Sequence, residues 1–218
     1  SFWLICSQPI FFQTFKTNRE SEADELLSQF EIRTEQDGDT VRLIVRREEN
    51  NSFFGFWKRW SNQVKFKAQV TVPARVNLNL DTAGGQISVK GDIDGDVLAD
   101  TAGGSIKIDG VTGNANLDTA GGSISAGAVY GGIYADTAGG GIAIDYVGPD
   151  AKRVYADTAG GGITIGLDAR GRYSVEADTS GGGVSVEHPG WVAETTKRSY
   201  ARGEINGGGT EVHADTSG

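Results

Sequence analysis

The sequence predicts an all-β fold, a β-solenoid (β-helix) of 18–21-residue coils with an N-terminal α/β cap-like segment. Two observations predict the solenoid: a glycine-rich block recurs at a nearly constant interval, and an alternating apolar pattern follows each complete copy. A third observation predicts the different leading segment, because 31 of the 33 glycines lie after residue 80. We therefore expect residues 1–63 to form the cap-like segment and residues 64–218 to form the solenoid repeats.

The recurring block is Asp-Thr-Ala/Ser-Gly, and its successive copies are separated by 19, 18, 18, 21, 21 and 37 residues. Short alternating strands follow it, for example at residues 105–108, 162–165 and 183–186. Strands of this length bury no core alone, but coils stacked about 4.8 Å apart pair their backbones and enclose a shared aliphatic core. The 37-residue interval has room for one degenerate period near Glu194-Thr195. The copies begin at Asp81, Asp100, Asp118, Asp136, Asp157, Asp178 and Asp215.

Each block predicts a corner between two strands. We expect its glycines to supply a positive φ and its threonine to lie on a half-buried surface. We expect its aspartate to accept hydrogen bonds from the corner amides. Such a corner needs no functional explanation.

Residues 1–80 carry a different pattern. Ser21 can cap a short helix at residues 22–29, and residues 36–39 fit the turn of a hairpin. An aromatic loop follows the hairpin, and an alternating strand then leads into the solenoid. These elements are the hairpin strands 30–35 and 40–46, the loop 48–60 and the strand 64–72.

Composition excludes several classes of protein. The net charge is −9, the opposite sign to that of most nucleic-acid-binding chains, so we expect no nucleic-acid partner. No run of 18 apolar residues occurs, so we expect no transmembrane segment. The apolar stretch at residues 2–6 is too short for a signal peptide, so any export signal lies outside this sequence. The single cysteine, Cys6, either pairs with another chain or acts as a small buried hydrophobe.

Several motifs occur together across roughly residues 15–218. They are residues 23–27, 37–42 and 70–73, the serial Leu-Asp-Thr-Ala-Gly-Gly blocks, and residues 204–209 followed by 215–218. In combination they resemble the bacterial family of Gly-rich repeat β-solenoid proteins, the DUF4097-like, adhesin-related domains of unknown function. The resemblance implies an exported or surface-associated, non-enzymatic β-solenoid and brings no catalytic residues. The chain departs from the family pattern at both ends: an apolar stretch replaces the leading strands, and the last repeat stops inside its corner.

The aligned aspartates are the sharpest candidate for a site. If the coils stack in register, Asp81, Asp100, Asp118, Asp136, Asp157 and Asp178 form a column of carboxylates about 4.8 Å apart. One hypothesis is that the column binds Ca²⁺, a cation that prefers several oxygen ligands. The alternative, which we favour, is that backbone amides hold each carboxylate and keep its pKa low. We expect no cofactor, and we interpret the acidic residues 92–96 as a solvated corner.

The chain lacks a recognisable catalytic constellation. His188 precedes Pro189-Gly190 in a predicted turn, and His213 lies two residues before Asp215 on a predicted strand. No nucleophile elbow accompanies either histidine. We therefore expect structural or surface histidines and no enzymatic activity.

The aromatic loop has two interpretations. Its rings and interleaved basic residues suit a glycan, a bilayer interface or a protein partner; alternatively, they cover the open end of the solenoid core. Solvent exposure of Trp57 or Trp60 would favour a partner. The candidate contact residues are Phe53, Phe54, Phe56, Trp57 and Trp60.

The resulting functional expectation is a non-catalytic structural or adhesive protein of the bacterial cell surface or extracellular matrix, with a glycan or a cell-surface protein as partner. The alternative is a subunit of a head-to-tail extracellular filament, built by solenoid stacking or by donation of an N-terminal strand to a neighbour. Its motivation is an unfinished last coil with unpaired strand edges. A polysaccharide-active β-helix enzyme is a third, weaker hypothesis. The residues proposed for self-assembly are Phe2, Trp3, Leu4, Ile5, Ile10, Phe11 and Phe12.

Overall fold

The computed structural model describes residues 2–5, 11–13, 30–37, 40–47 and 68–218, and every helix or strand among them is a β-strand. The prediction of an all-β solenoid is confirmed. The predicted helix at 22–29 and the aromatic loop at 48–60 lie outside the described residues. None of the described residues belongs to a helix long and apolar enough to cross a membrane. The chain divides into two compact units, Ser1–Pro73 and Ala74–Gly218.

The described residues of the first unit form three antiparallel pairings. Strands β3 (Phe30–Asp37) and β4 (Thr40–Arg47) form the predicted hairpin, with Asp37 opposite Thr40. Strand β1 (Phe2–Ile5) pairs with β4. Strand β2 (Phe11–Gln13) pairs with β5 (Gln69–Thr71), which lies within the predicted strand 64–72.

The second unit is a stack of five two-stranded coils. In each coil one strand joins a long parallel sheet and the next joins a short one. In the long sheet the strands of neighbouring coils pair residue for residue, so Asp100 lies between Asp81 and Asp118. The coils are β6 (Asn77–Thr82) with β7 (Ile87–Ile93), β8 (Val97–Thr101) with β9 (Ile106–Val111), β10 (Ala115–Thr119) with β11 (Ile124–Val129), β12 (Ile133–Thr137) with β13 (Ile142–Val147), and β14 (Arg153–Thr158) with β15 (Ile163–Leu167).

The core lies between the two sheets and follows the alternation of each strand. In β8, Val97, Ala99 and Thr101 are buried while Leu98 and Asp100 are exposed. The short sheet contributes larger aliphatic side chains from the other side. These include Ile106, Ile108, Ile124, Ile142 and Ile144, each at most 2% exposed.

Threonine, rather than aspartate, closes each corner. Thr119 is 1% exposed, and its hydroxyl donates to the Gly104 carbonyl of the preceding coil at 2.7 Å. The same oxygen accepts from the Gly122 amide of its own coil at 3.3 Å. Thr101, Thr137 and Thr158 donate to the preceding coil in the same way. The predictions of a corner-capping aspartate and a half-buried threonine are wrong, because the threonine shares the inward face of its strand.

The corner glycines serve close approach between coils. Among the described residues, positive φ occurs only at Gly91, Asn206, Gly207 and Gly208, so the predicted left-handed corners are wrong. Instead, a Cβ on Gly122 would overlap the Gly104 carbonyl oxygen of the coil before it. Only glycine permits the strand spacing at this point of the coil.

The end of the stack departs from the predicted order of repeats. Strand β16 (Tyr173–Thr179) does not pair with β14, because β19 (Thr210–Thr216) lies between them and pairs parallel to both. On the other side of β16, β17 (Trp191–Lys197) and β18 (Tyr200–Ile205) form an antiparallel hairpin. Residues 194–195 therefore belong to a hairpin and not to a degenerate coil, and the predicted strand at 183–186 is not a strand. Strand β19 is paired along both of its edges, whereas β15 ends the short sheet and, within the described residues, is paired along one edge only.

Candidate functional site

The outward face of the long sheet carries the repeated polar side chains. The block aspartate and the residue two positions before it point outward, because the residue between them, such as Ala99 or Ala135, is fully buried. In-register pairing stacks the aspartates into one row, which we name the carboxylate row. In spatial order it contains Asp81, Asp100, Asp118, Asp136, Asp157, Asp215 and Asp178. The predicted column is thus confirmed, with Asp215 inserted between Asp157 and Asp178.

The carboxylates of the row accept few side-chain hydrogen bonds. Within the described chain, side-chain hydrogen bonds reach the row only at Asp136 and Asp157, each of which accepts from a tyrosine hydroxyl at 3.1 Å. Burial, followed by the charges of Asp136 and Asp100, raises the pKa of Asp118. The prediction that backbone amides would lower this pKa is wrong, since the amides bond to threonine.

A stack of three rings runs beside the carboxylate row. The rings of Tyr134 and Tyr155 are parallel, with centroids 4.8 Å apart, and the Tyr155 and His213 rings are 5.1 Å apart. We name these three residues the ring ladder. Burial, followed by the hydrogen bond to the neighbouring aspartate, raises the pKa of both tyrosine hydroxyls. The tyrosines therefore act as neutral donors to the carboxylate row at physiological pH.

The ring ladder was missed from the sequence although a signal was present. Tyr134 and Tyr155 each stand two residues before a block aspartate, a repeat position that must stack. His213 holds the same position before Asp215. The prediction that His213 and Asp215 lie on one strand is confirmed, and the His213 ring stacks on that of Tyr155.

The carboxylate row was also a candidate for calcium. In the part of the chain that the structure describes, no three His, Cys, Asp or Glu side chains cluster in a way that could hold a metal ion. The acidic corner at 92–96 is exposed at Asp92, Asp94 and Asp96, as predicted. Asp94 accepts from Arg75 at 3.0 Å and from Thr112 at 3.1 Å, and both interactions lower its pKa.

A series of short polar side chains links successive coils at the corners that precede the long-sheet strands. Asn77 accepts from the Asp96 amide at 2.8 Å, Asp96 from the Asn114 amide at 2.7 Å, and Asn114 from the Gly132 amide at 3.0 Å. Each side chain thus caps the amide of the following coil. The sequence signal was the recurrence of Asn or Asp at the start of the long-sheet strands in the first three coils.

A second polar cluster lies beyond the short sheet. Asp168 is 9% exposed and accepts from Tyr146 at 2.6 Å and from the Arg170 guanidinium at two positions, each 3.1 Å. The bonds from Arg170 and then from Tyr146 hold the pKa of Asp168 well below its usual range. The cluster is satisfied internally, which suits a structural role. No repeat marks these positions, so sequence reasoning missed it.

The remaining candidate residues are placed as follows. His188 lies in the predicted turn, where its Nδ1 accepts from the Gly190 amide at 3.0 Å. Of the proposed self-assembly residues, Phe2, Trp3, Leu4 and Ile5 lie in β1, and Phe11 and Phe12 lie in β2. Their role in assembly stays a prediction. Ile10, Cys6 and the aromatic contact residues Phe53, Phe54, Phe56, Trp57 and Trp60 lie outside the described residues.

Comparison with known proteins gives one result. The family model described as Toastrack DUF4097 matches residues 17–217. No curated protein and no solved structure matches the chain.

Proposed function

The chain belongs to the Toastrack DUF4097 family, whose function is unknown, and we propose that it is a non-catalytic structural or adhesive β-solenoid. Its place is the bacterial cell surface or extracellular matrix. One observation carries the proposal: the carboxylate row and ring ladder form a continuous polar surface on a scaffold whose interior consists of buried aliphatic and threonine side chains. A surface of this kind suits binding over an extended area.

The packing supports a scaffold role. Long-sheet strands contribute inward alanine, valine and threonine, and short-sheet strands contribute isoleucine, so the coils are filled between the sheets. The threonine and Asn/Asp ladders link each coil to the next through side-chain hydrogen bonds. Two acidic groups outside the carboxylate row, Asp168 and Asp94, are already engaged in ion pairs.

Cell-surface location can be tested on the producing bacterium. Intact cells are treated with a protease, and the chain is detected by antibody alongside a cytosolic marker. We expect the chain to be cleaved while the marker survives. Protection of the chain until lysis would overturn the proposed location.

Adhesion can be tested with beads that carry the full chain and with intact bacteria as the probe. The test variant changes Asp118, Asp136 and Asp157 to Asn. The matched control changes Asp92, Asp145 and Asp150 to Asn, and these three are exposed acidic residues outside the carboxylate row. We expect the row variant to retain fewer cells than wild type and the control to match wild type. Equal retention by all three chains would remove the row from the proposal, and release of sugars from bacterial polysaccharide would favour the enzyme hypothesis.

A second candidate function is the head-to-tail filament, and one observation favours it. Strand β15 ends the short sheet, and its Ile163 and Ile165 are only half-buried, so this end offers an edge for stacking. Electron microscopy of the concentrated chain tests the idea. We expect open-ended rods if it holds, and discrete particles at every concentration would contradict it.

A further inference from the structure

Strand β19 occupies a two-sided slot in the long sheet. Asp215 lies between Asp157 of β14 and Asp178 of β16, and the register holds along the whole strand. Val212 is buried, and the Thr216 hydroxyl donates to the Gly161 carbonyl at 2.5 Å. The slot therefore matches this segment at each repeat position, because the neighbours on both sides carry the same repeat pattern.

The connection into this slot has an unusual path. Tyr173, the first residue of β16, pairs with Ile205 on one side and with Thr210 on the other. Residues 206–209 must therefore cross the start of β16 to bring the chain from β18 to β19. Three consecutive residues make this crossing in the left-handed region, with φ of 53° at Asn206, 82° at Gly207 and 75° at Gly208. Glycine and asparagine tolerate this conformation, which other residues avoid.

Two side chains hold the crossing closed. Arg172 donates through Nε to the Gly208 carbonyl and through a terminal nitrogen to the Gly207 carbonyl, both at 3.1 Å. The side-chain amide nitrogen of Asn206 donates to the Gly171 carbonyl at 2.7 Å. None of these contacts involves a strand of the five coils.

We propose that β19 is an exchangeable strand and that two copies of this chain form a dimer by inserting β19 reciprocally into each other's slot. The second copy is the fitting partner, because its β19 re-forms every backbone pair and side-chain bond of the slot. Only the crossing at 206–209 changes, from a left-handed loop to an extended connection. A reciprocal exchange closes with twofold symmetry and does not propagate. The inference is independent of an adhesive role.

The crossing offers a clean perturbation. A Cβ on Gly207 meets only a terminal nitrogen of Arg172, at 3.7 Å, so the added Cβ of Gly207→Val strains the left-handed backbone without itself clashing. The matched control is Gly84→Val, since Gly84 has ordinary φ and no neighbour within 4 Å of an added Cβ. Light scattering after size exclusion measures the dimer fraction across a concentration series. We expect Gly207→Val to raise the dimerisation constant at least about tenfold over wild type and control.

A second variant protects the test against misfolding. Arg172→Ala removes two bonds that hold the crossing but adds no backbone strain, and we expect it also to favour the dimer. Circular dichroism confirms that each variant is folded. Equal dimer fractions in wild type, both crossing variants and the control would overturn the proposal.

Cross-linking identifies the exchanged strand. One full-length chain carries Tyr155→Cys and another carries His213→Cys, both with Cys6→Ser and Gly207→Val. After mixing through partial unfolding, we expect a disulfide-linked heterodimer, because residues 155 and 213 are direct neighbours in register. The control pairs Tyr134→Cys with His213→Cys, since β14 separates these positions. A dimer without the 155–213 link, or with equal linkage in the control pair, would contradict exchange of β19.

Discussion

The buried corner threonine provides a direct perturbation of the fold. Thr119→Val keeps the shape and the β-branching of the side chain but removes its hydroxyl. The substitution leaves the Gly104 carbonyl and the Gly122 amide without the bonds that they form with Thr119 at 2.7 Å and 3.3 Å. Because each such bond contributes about 0.5–1.5 kcal/mol, we expect the free energy of unfolding to fall by about 1–3 kcal/mol.

The assay is urea denaturation of the full chain followed by far-ultraviolet circular dichroism. Hydrogen exchange at the Gly104 and Gly122 corners adds a local measurement, and protection there should fall most. The control is Thr164→Val, because Thr164 is exposed on β15 and makes no side-chain hydrogen bond within the described chain. If Thr119→Val changes stability by no more than Thr164→Val does, the reasoning about interior threonines is refuted.

Three further outcomes are expected from melting temperatures. Gly122→Ala should lower the melting temperature and reduce the free energy of unfolding by about 1–3 kcal/mol, because the added Cβ overlaps the preceding coil. Gly162→Ala should have no such effect, since an added Cβ there has no neighbour within 4 Å. Equal effects of the two variants would contradict the close-approach argument. Asp118→Asn should raise the melting temperature at pH 7, because the raised pKa of Asp118 in the folded state means that stability falls as pH rises through that pKa. This gain should vanish below the ordinary Asp pKa of about 3.9. A gain equal to that of Asp150→Asn would count against coupling between the carboxylates of the row. Asp168→Asn should lower the melting temperature at pH 7, because the pKa of Asp168 is lowered in the folded state. A lowered pKa stabilises the fold at pH values above the pKa of the unfolded state, and this stabilisation is lost as pH falls through the pKa of the folded state. A deficit in melting temperature that persists unchanged in strong acid would disprove this origin.

The stacking of coils could be predicted because the block states the register directly. Aspartates that recur every 18–21 residues must align once the intervening strands pair, and they do. The buried position of the block threonine could also have been predicted from the alternation of inward and outward residues. In Val97-Leu98-Ala99-Asp100-Thr101 the threonine shares its face with Val97 and Ala99, so parity alone places it inside.

The roles of the corner glycines could not be read from composition. Glycine serves equally for positive φ and for close backbone approach, and only the distance between coils distinguishes the two. That distance depends on packing across both sheets. At Gly122 the neighbouring carbonyl decides the matter, whereas at Gly207 the backbone conformation does.

The position of β19 was unpredictable for a different reason. Its sequence fits any slot in the long sheet, because Asp215-Thr216 recurs in all of the other blocks. The choice between the end of the stack and the gap beside β14 depends on contacts between residues nearly 60 positions apart. The stacking of His213 on Tyr155 could not be predicted for the same reason, since it depends on the insertion of β19 beside β14.

Spin-label distances along the carboxylate row test the central claim that the blocks stack in register with β19 inserted. Two full-length chains with Cys6→Ser carry labels at 81 and 157 or at 81 and 178. The register places 178 two strands beyond 157, so the mean distance should increase by about 10 Å from the first pair to the second. An increase of about 5 Å would mean that β16 pairs directly with β14, and broad distributions in both pairs would mean that the blocks do not stack at all.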